Sequence, residues 1–586
     1  MPDETAPAAE EREFLRWFAE RGAVLSPSVA LASFAGMGRG MQALEALPED
    51  ALLFAVPRAM LLGTRTSALP RLALAEDARR RGDGMDIDDD EAQPGTWQHL
   101  HRQGWAQLLL VMLWERFRAS ERGQAACAAF DAGADWGAYF GILPKHFDTP
   151  MFWSDAELAE LKGTAIVEKI GKEEAHETYE KDIFPYIQSH AALFLGSLAA
   201  EQPDAVPALL QEFYSEPLFH MMASAVLSRS FHVRKPEPGQ QPGAEGAEGM
   251  VRPGDRGVEL AAPADEDEEG ENGDESELHI DSDSDSDADA DEAENIDDVC
   301  MVPMADMLNA RFETDNARVF YHLDKLEMRT TRAIEKGEQL WNTYGDPPNC
   351  DLARRYGHVD EPNGADVVEL PILRVVDAIL ALEGAADQAE RRTSLLSRVE
   401  WSVAEGLDEV HALTYLFAPS SEPPHAPEPA KASSSELRAA AASVAEELLV
   451  HTRLLLLDDA AYEKVQAKGK LPNARIEARE PAAGKTLGVA EVLLKAIDLR
   501  LAEYPTSEQE DSARLYGAAG QQAEQGMSAN LRAALVVRLG EKRILIDNAR
   551  VLTAAHEASL KIAAAPAKGS KRKGAETAGA SKKARK

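Results

Sequence analysis

The sequence predicts an α+β protein: a strand-rich core interrupted by a helical insertion and followed by a helical C-terminal domain. Three observations carry this. Short apolar runs broken by Gly, Pro and Ser fill residues 22–61 and return at 317–344; long apolar-periodic stretches occupy 97–222; and the chain beyond Val367 is again mostly helical. With 586 residues the chain exceeds one ordinary core and predicts two to four domains.

Taken in order, GAVLSPSVALASFAGMGRGMQALEALPEDALLFAVPRAML (22–61) reads as small strands joined by turns. WAQLLLVMLWERF and DIFPYIQSHAALFLGSLAAE carry the periodicity of buried helices, and SEPLFHMMASAVLSRSF ends that helical insertion. VFYHL and LEMRTT alternate as strands, with a glycine turn in IEKGEQL. LRAAAASVAEELLVHTRLLLL and LGVAEVLLKAIDLRLAEY then predict helices of the last domain.

Composition shifts mark the segments between. From Asp265 to Asp298 roughly half the residues are acidic and almost none is large and apolar, so the stretch, with its Pro/Gly-rich lead-in from Lys235, cannot offset its ordering entropy and is expected to be disordered. A solvated spacer and a recruiter of basic partners are both open readings of it. A smaller acidic insert spans 82–95, and 418–435 reads as a linker. The end, KGSKRKGAETAGASKKARK, carries two basic clusters with the spacing of a bipartite nuclear-import signal, a merely solvated basic end being the alternative.

The formal net charge of −39 argues against direct nucleic-acid binding and favours a basic protein partner. No apolar run approaches the roughly 18 residues of a membrane helix, and the acidic start MPDETAPAAEERE lacks presequence character. The cysteines, Cys127, Cys300 and Cys350, show no metal-ligand spacing, so no metal site is expected.

Four stretches carry chemistry when read together: FAGMGRGMQA (34–43), AVLSRSFHV (225–233), VPMADMLNAR (302–311) and QLWNTYGDPPNCDLARRYGHV (339–359). In VPMADMLNAR, Asp306 and Asn309 stand three apart in apolar surroundings, where unpaired polar groups cost roughly 1–3 kcal/mol, and their spacing suits one side of a tight turn or short helix. A capping or Asx-turn role and a ligand pocket both remain open at this point. Glycines of GMGRGM allow close backbone approach to a ligand, or form a plain turn.

This combination resembles the SET-domain lysine methyltransferases of the Rubisco and ribosomal-protein subgroup, and looks closest to the fungal ribosomal-lysine methyltransferase 4 group. The resemblance spans about Glu13 to Leu560 and implies a SET core over 10–360, with the helical insertion at about 97–222 and the acidic insertion at about 235–298. It further implies a helical substrate-binding domain over 366–560, leaving 564–586 as a disordered tail.

By resemblance the cofactor is S-adenosylmethionine, contacted by Gly38, Arg39, Gly40, Met41, Ser228, Arg229, Asn309 and Tyr344. Tyr344 takes the catalytic place of the family's YG tyrosine, with Asp306 beside the transfer channel. Two departures stand out: Ala310 occupies the usual histidine position, and His358 stands in the substrate channel where the family often has Phe or Tyr. The implied substrate is a lysine of a large-subunit ribosomal protein; another nuclear protein or a histone, or a non-catalytic binder of basic proteins, are the competing readings.

Overall fold

The computed structural model describes residues 9–81, 94–102, 105–130, 133, 135–234, 296–384, 388–419, 432–474, 487–517 and 527–564. The acidic tract up to residue 295 with its lead-in, nearly all of the smaller acidic insert, most of the linker and the basic tail lie outside the described residues, whereas Ile296–Asp298, expected to be disordered with the tract, pair as part of a strand.

The chain forms two compact units. The first comprises Met1–Val367, Pro419–Ala426 and Tyr504–Lys542; the second comprises Val368–Ala418, Pro427–Glu503 and Arg543–Lys586. Residues 504–542, read from sequence as part of the 366–560 helical region, therefore cluster with the strand-rich unit. The physical reason is a buried charge network. Asp511 accepts from Arg538 (2.5 and 2.9 Å), Lys542 (2.6 Å) and Thr506 (2.8 Å), and Arg538 also reaches the Glu160 carbonyl at 2.8 Å.

In the first unit, the opening helix Ala9–Glu20 buries Phe14 and Phe18, one turn apart on its inner face. The short strands expected from 22–61 are present. β1 (Val24–Leu25), β4 (Leu52–Pro57), β8 (Ala317–Tyr321) and β9 (Lys325–Thr330) form one antiparallel sheet in the order β1-β4-β9-β8. β2 (Val29–Phe34), β3 (Gly38–Ala43), β7 (Asn309–Ala310) and β10 (Gln339–Asn342) form a second, ordered β2-β3-β10-β7. β5 (Ser230–Arg234) pairs with β6 (Ile296–Met301), across the segment that holds the acidic tract.

β10 decides where the motifs meet. It runs antiparallel to β3, with Leu340 opposite Met41, and parallel to β7, with Trp341 opposite Asn309 and Asn342 opposite Ala310. The GMGRGM hairpin, the DMLNA segment and the start of NTYG are thereby side by side. Gly36 and Gly38 have φ of 75° and 70°, a left-handed backbone that other residues adopt at a cost, so glycine is required for the β2–β3 turn.

The insertion packs around the helix Ala106–Ala119, which is buried continuously from Leu108 to Trp114 and is hydrophobic nearly all round, as a core helix must be. DIFPYIQSHAALFLGSLAAE, expected to be helical, is helical in short pieces: Tyr179–Ile183, Phe184–Ser189, Ala191–Leu195 and Leu198–Glu201. Gly196 explains the last break: its φ is 56°, and a Cβ there would lie 2.3 Å from the Ala126 carbonyl oxygen.

The second unit is mainly helical, with Ile372–Glu383, Gln388–Ala404, Glu446–Leu455 and Val489–Leu501 beside a two-stranded ribbon of β11 (Val367–Pro371) and β12 (Val410–Thr414). A buried cluster, His411 to His451 at 3.2 Å and His451 to Ser402 at 2.6 Å, holds β12 to two of these helices. Burial pushes both imidazoles down to about 4, so they are neutral at physiological pH.

Candidate active site

The site assembles where β10 ends. Tyr344 follows two residues later and stacks on Tyr356, with ring centres 4.1 Å apart and planes 4° from parallel. Its hydroxyl donates to the Leu308 carbonyl at a long 3.3 Å, so it is only weakly engaged by the protein. Removal from water pushes this phenol above its ordinary value, which keeps it a neutral donor.

Tyr344 borders two cavities. The larger, about 150 Å³, is also lined by Ser228, Arg229, Asp306, Tyr321 and Tyr356; the smaller, about 10 Å³, by Ala310, His358 and Asp360. His358 meets Tyr344 and Tyr356 edge-on at 6.3 and 6.1 Å, and burial lowers its basicity despite the Asp360 carboxylate.

Asp306 sits in the single helical turn Ala305–Met307, buried, and its Oδ2 accepts from the Tyr139 hydroxyl at 2.7 Å. Its Oδ1 is buried and has no side-chain hydrogen-bond partner among the described residues, although the nearby Asp306 and Met304 main-chain N–H groups favour the ionised carboxylate. Arg229 donates to the Asp306 main-chain carbonyl and attracts its carboxylate, yet burial prevails and pushes the carboxyl up to about 6. Asn309 lies one strand further on, in β7. The pair therefore does not share one face of a short helix: Leu308 is extended, which sends Asp306 to the larger cavity and Asn309 toward β3. There a Cβ built on Gly40 would lie 2.8 Å from Asn309 Nδ2 and 2.9 Å from Gln339 Nε2, and both amide nitrogens are buried without a partner.

The remaining sequence candidates divide. Ser228 and Arg229, at the end of the helix Glu216–Arg229, line the larger cavity, although the Ser228 hydroxyl is bonded to the Ser224 carbonyl at 2.6 Å. Gly38, Arg39, Gly40 and Met41 border neither cavity. The Met41 side chain is fully buried in the core, and Arg39 donates to the Ile142 carbonyl at 2.9 Å, so only the backbone of this strand is left to meet a ligand. Sequence reasoning missed Tyr139 and Tyr356. Tyr356 stood within the quoted RRYGHV as a possible signal; nothing in GAYFGI distinguishes Tyr139 from a core aromatic.

Since Asp306 is held near 6 against about 3.9 unfolded, the native state binds the extra proton between these values, and stability falls as pH rises from about 4 to 6. Asp306→Asn removes the ionisation penalty. It is expected to be more stable than the parent by about 2–3 kcal/mol at pH 7 and nearly equal to it at pH 4, read from urea unfolding at both pH values. Equal gains at both would contradict the assignment.

Tyr344 and Asp306 thus share the larger cavity, with Asn309 on the neighbouring strand, in a chain of two small sheets, a helical insertion and a mainly helical C-terminal region. In sequence the chain is similar to proteins named as lysine N-methyltransferases. Residues 424–545 match the family described as Rubisco LSMT substrate-binding. The chain is 28% identical over 386 residues to the N-lysine methyltransferase SETD6 of Mus musculus, covering 64% of this chain and 60% of that one. It is 26% identical over 377 residues to ribosomal lysine N-methyltransferase 4 of Saccharomyces cerevisiae, covering 63% and 60%. The matches thus span less than two thirds of these relatives' length. A crystal structure of the SET domain of LSMT bound to lysine and AdoHcy aligns with 95% of this chain and 93% of its own, at 16% identity and a TM-score of 0.49.

Proposed function

We propose that the protein is an S-adenosylmethionine-dependent protein-lysine N-methyltransferase. The observation that carries this is Tyr344: a neutral, weakly engaged hydroxyl at the boundary of two cavities, beside a buried carboxylate with one oxygen bonded to no described side chain. The donors that could meet the cofactor lie on the β3–β7 side, where the Asn309 and Gln339 amide nitrogens are unspent and, with the Phe34 ring, pack directly over Gly40, leaving no room for a Cβ. Asn309 and the backbone of Gly38–Met41 would hold it, and when bound it supplies an electrophilic methyl group.

The chain's own part is to prepare the amine. At pH 7 deprotonating a free lysine costs about 4.6 kcal/mol. A lysine side chain entering the larger cavity leaves water for a lining that holds Tyr344, Tyr356 and Tyr321 together with Arg229 and Arg318, and both its burial and these guanidiniums disfavour its charged form. Asp306 Oδ1 accepts an amine N–H, and the Tyr344 hydroxyl fixes the direction of the nitrogen lone pair, so that little reorganisation remains at the moment of transfer.

The acceptor class is a basic protein, with a large-subunit ribosomal protein as the specific reading. Its support is the name of the yeast relative and the net charge of −39, which attracts a basic partner. The basic tail supports meeting that substrate in the nucleus. Comparing ribosomal proteins with histones as methyl acceptors tests the substrate; labelling of histones alone would overturn the ribosomal reading. Gly40→Ala is expected to weaken S-adenosylmethionine binding at least about tenfold by crowding Asn309, measured by titration calorimetry on a variant shown folded by circular dichroism. Unchanged affinity would remove β3 from the cofactor site.

A further inference from the structure

Three chain segments bring Tyr344, Ala310 and His358 to the site, each at or beyond the end of a regular element. Tyr344 lies beyond the end of β10, Ala310 ends β7, and His358 follows the turn closed by Gly357. Loops position side chains less well than strands unless something fixes them. Here one buried side chain touches two of the segments and reaches the third through its partner.

Asn349 is 2% exposed. Its Nδ2 donates to the Asp360 carbonyl at 2.9 Å and to Asp366 Oδ2 at 3.0 Å, while its Oδ1 accepts from the Asp360 N–H at 2.8 Å. Its own backbone N–H donates to Asp366 Oδ1 at 2.6 Å. Asp360 in turn accepts from the Phe312 N–H at 2.8 Å, two residues beyond Ala310. Both amide hydrogens and the amide oxygen of Asn349 are spent, in an arrangement that carboxylate or apolar side chains cannot reproduce. Asn363 adds a parallel tie, donating to the Pro347 carbonyl at 2.9 Å.

We infer that Asn349, with Asp366 and Asp360, is a positioning device for methyl transfer: this clamp fixes the segments that carry Tyr344 and His358 against the end of β7. The inference rests on the proposed methyltransferase reading for its kinetic consequence, but the clamp itself predicts a geometry that can be read without activity. Burial pushes the Asp366 carboxyl up to about 7 against the two Asn349 bonds, so the clamp carries a titratable member near neutrality. The charged or titratable groups facing it are Asp360 and Glu361, with His358 on the adjoining turn.

The test uses the full chain labelled with 3-fluorotyrosine, the Tyr344 resonance being assigned by its loss in Tyr344→Phe. Asn349→Ala is expected to shift that resonance and to lower kcat about 10²-fold with KM for the cofactor changed far less, since a displacement of about 1 Å can cost that much. Asn349→Asp places a second carboxylate against Asp366 and should be at least as damaging. The exchanged pair Asn349→Asp with Asp366→Asn restores the net charge and most of the bonds, and should recover both resonance and rate in part. An unshifted Tyr344 resonance in folded Asn349→Ala would overturn the clamp, whatever the enzyme's activity. Loss of rate with no rescue by the exchange would reduce Asn349 to a merely structural residue. Absence of methyl transfer by the parent protein would instead sink the functional reading and leave the fluorine result to decide the clamp.

Discussion

Tyr344→Phe is expected to lower kcat for lysine methylation by about 10²–10³-fold, the range seen when one pre-oriented donor is removed from a reacting centre. Stability should barely change. The hydroxyl's one hydrogen bond among the described residues is the 3.3 Å contact to the Leu308 carbonyl, and the ring that stacks on Tyr356 at 4.1 Å is retained. Cofactor affinity should also hold, because Asn309 and β3 are untouched. The kinetic signature is therefore a fall in kcat with little change in KM, measured under saturating acceptor. A parallel loss of stability and rate would mean that the hydroxyl is structural. An unchanged rate would remove Tyr344 from the chemistry.

The largest expected effect on stability lies far from the site. Asp511→Ala should destabilise the first unit by about 3–5 kcal/mol, because it takes the carboxylate partner from buried Lys542 and leaves buried Arg538 with the partly exposed Glu160. Arg538 and Lys542 are each 1% exposed and Asp511 is 0% exposed, so water cannot replace the lost partner. Burial alone would raise the Asp511 carboxyl, but the bonds from Arg538, Lys542 and Thr506 overcome it and hold the group below its ordinary value. A depressed native value means that the stabilisation is present above the unfolded carboxylate range, near pH 4, and is lost as pH falls through the native value. Urea denaturation at pH 7 should show the full difference between parent and variant, and at lower pH a narrowing one. A variant within about 1 kcal/mol of the parent at pH 7 would show that the pair's desolvation cost cancels its attraction.

Much of the fold was legible because the local signals agree with the tertiary structure. The glycines of GMGRGM are needed for the left-handed turn before β3, and the alternation in LEMRTT is that of β9, whose Leu326 and Met328 face the core. The helix in WAQLLLVMLWERF could be read from its continuous apolar run. Signals failed where a distant partner decides the outcome. The break at Gly196 exists because the backbone of Ala126 lies against it, 70 residues earlier, which no local pattern records.

The site divides in the same way. Its residue types announced themselves when a motif placed a polar group in apolar surroundings, as with Asp306 and Asn309. The separation of those two by an extended Leu308 depends on β7 pairing with β10, a contact between segments about 30 residues apart. Tyr139 reaches Asp306 from 167 residues away out of the helical insertion, and only the packed structure reveals that it occupies one of the two carboxylate oxygens. Asn349 was invisible for the same reason: its four partnerships are tertiary.

The proposed reaction is methyl transfer to a protein lysine at Tyr344. The most direct measurement incubates purified protein with S-adenosylmethionine labelled in the methyl group and with separate preparations of ribosomal proteins and histones, in parallel with Tyr344→Phe. The account predicts label on lysine of a ribosomal protein with the parent chain and a loss of about 10²-fold or more with the variant. Label that persists undiminished in Tyr344→Phe, or no label on any protein lysine despite measured cofactor binding, would contradict it.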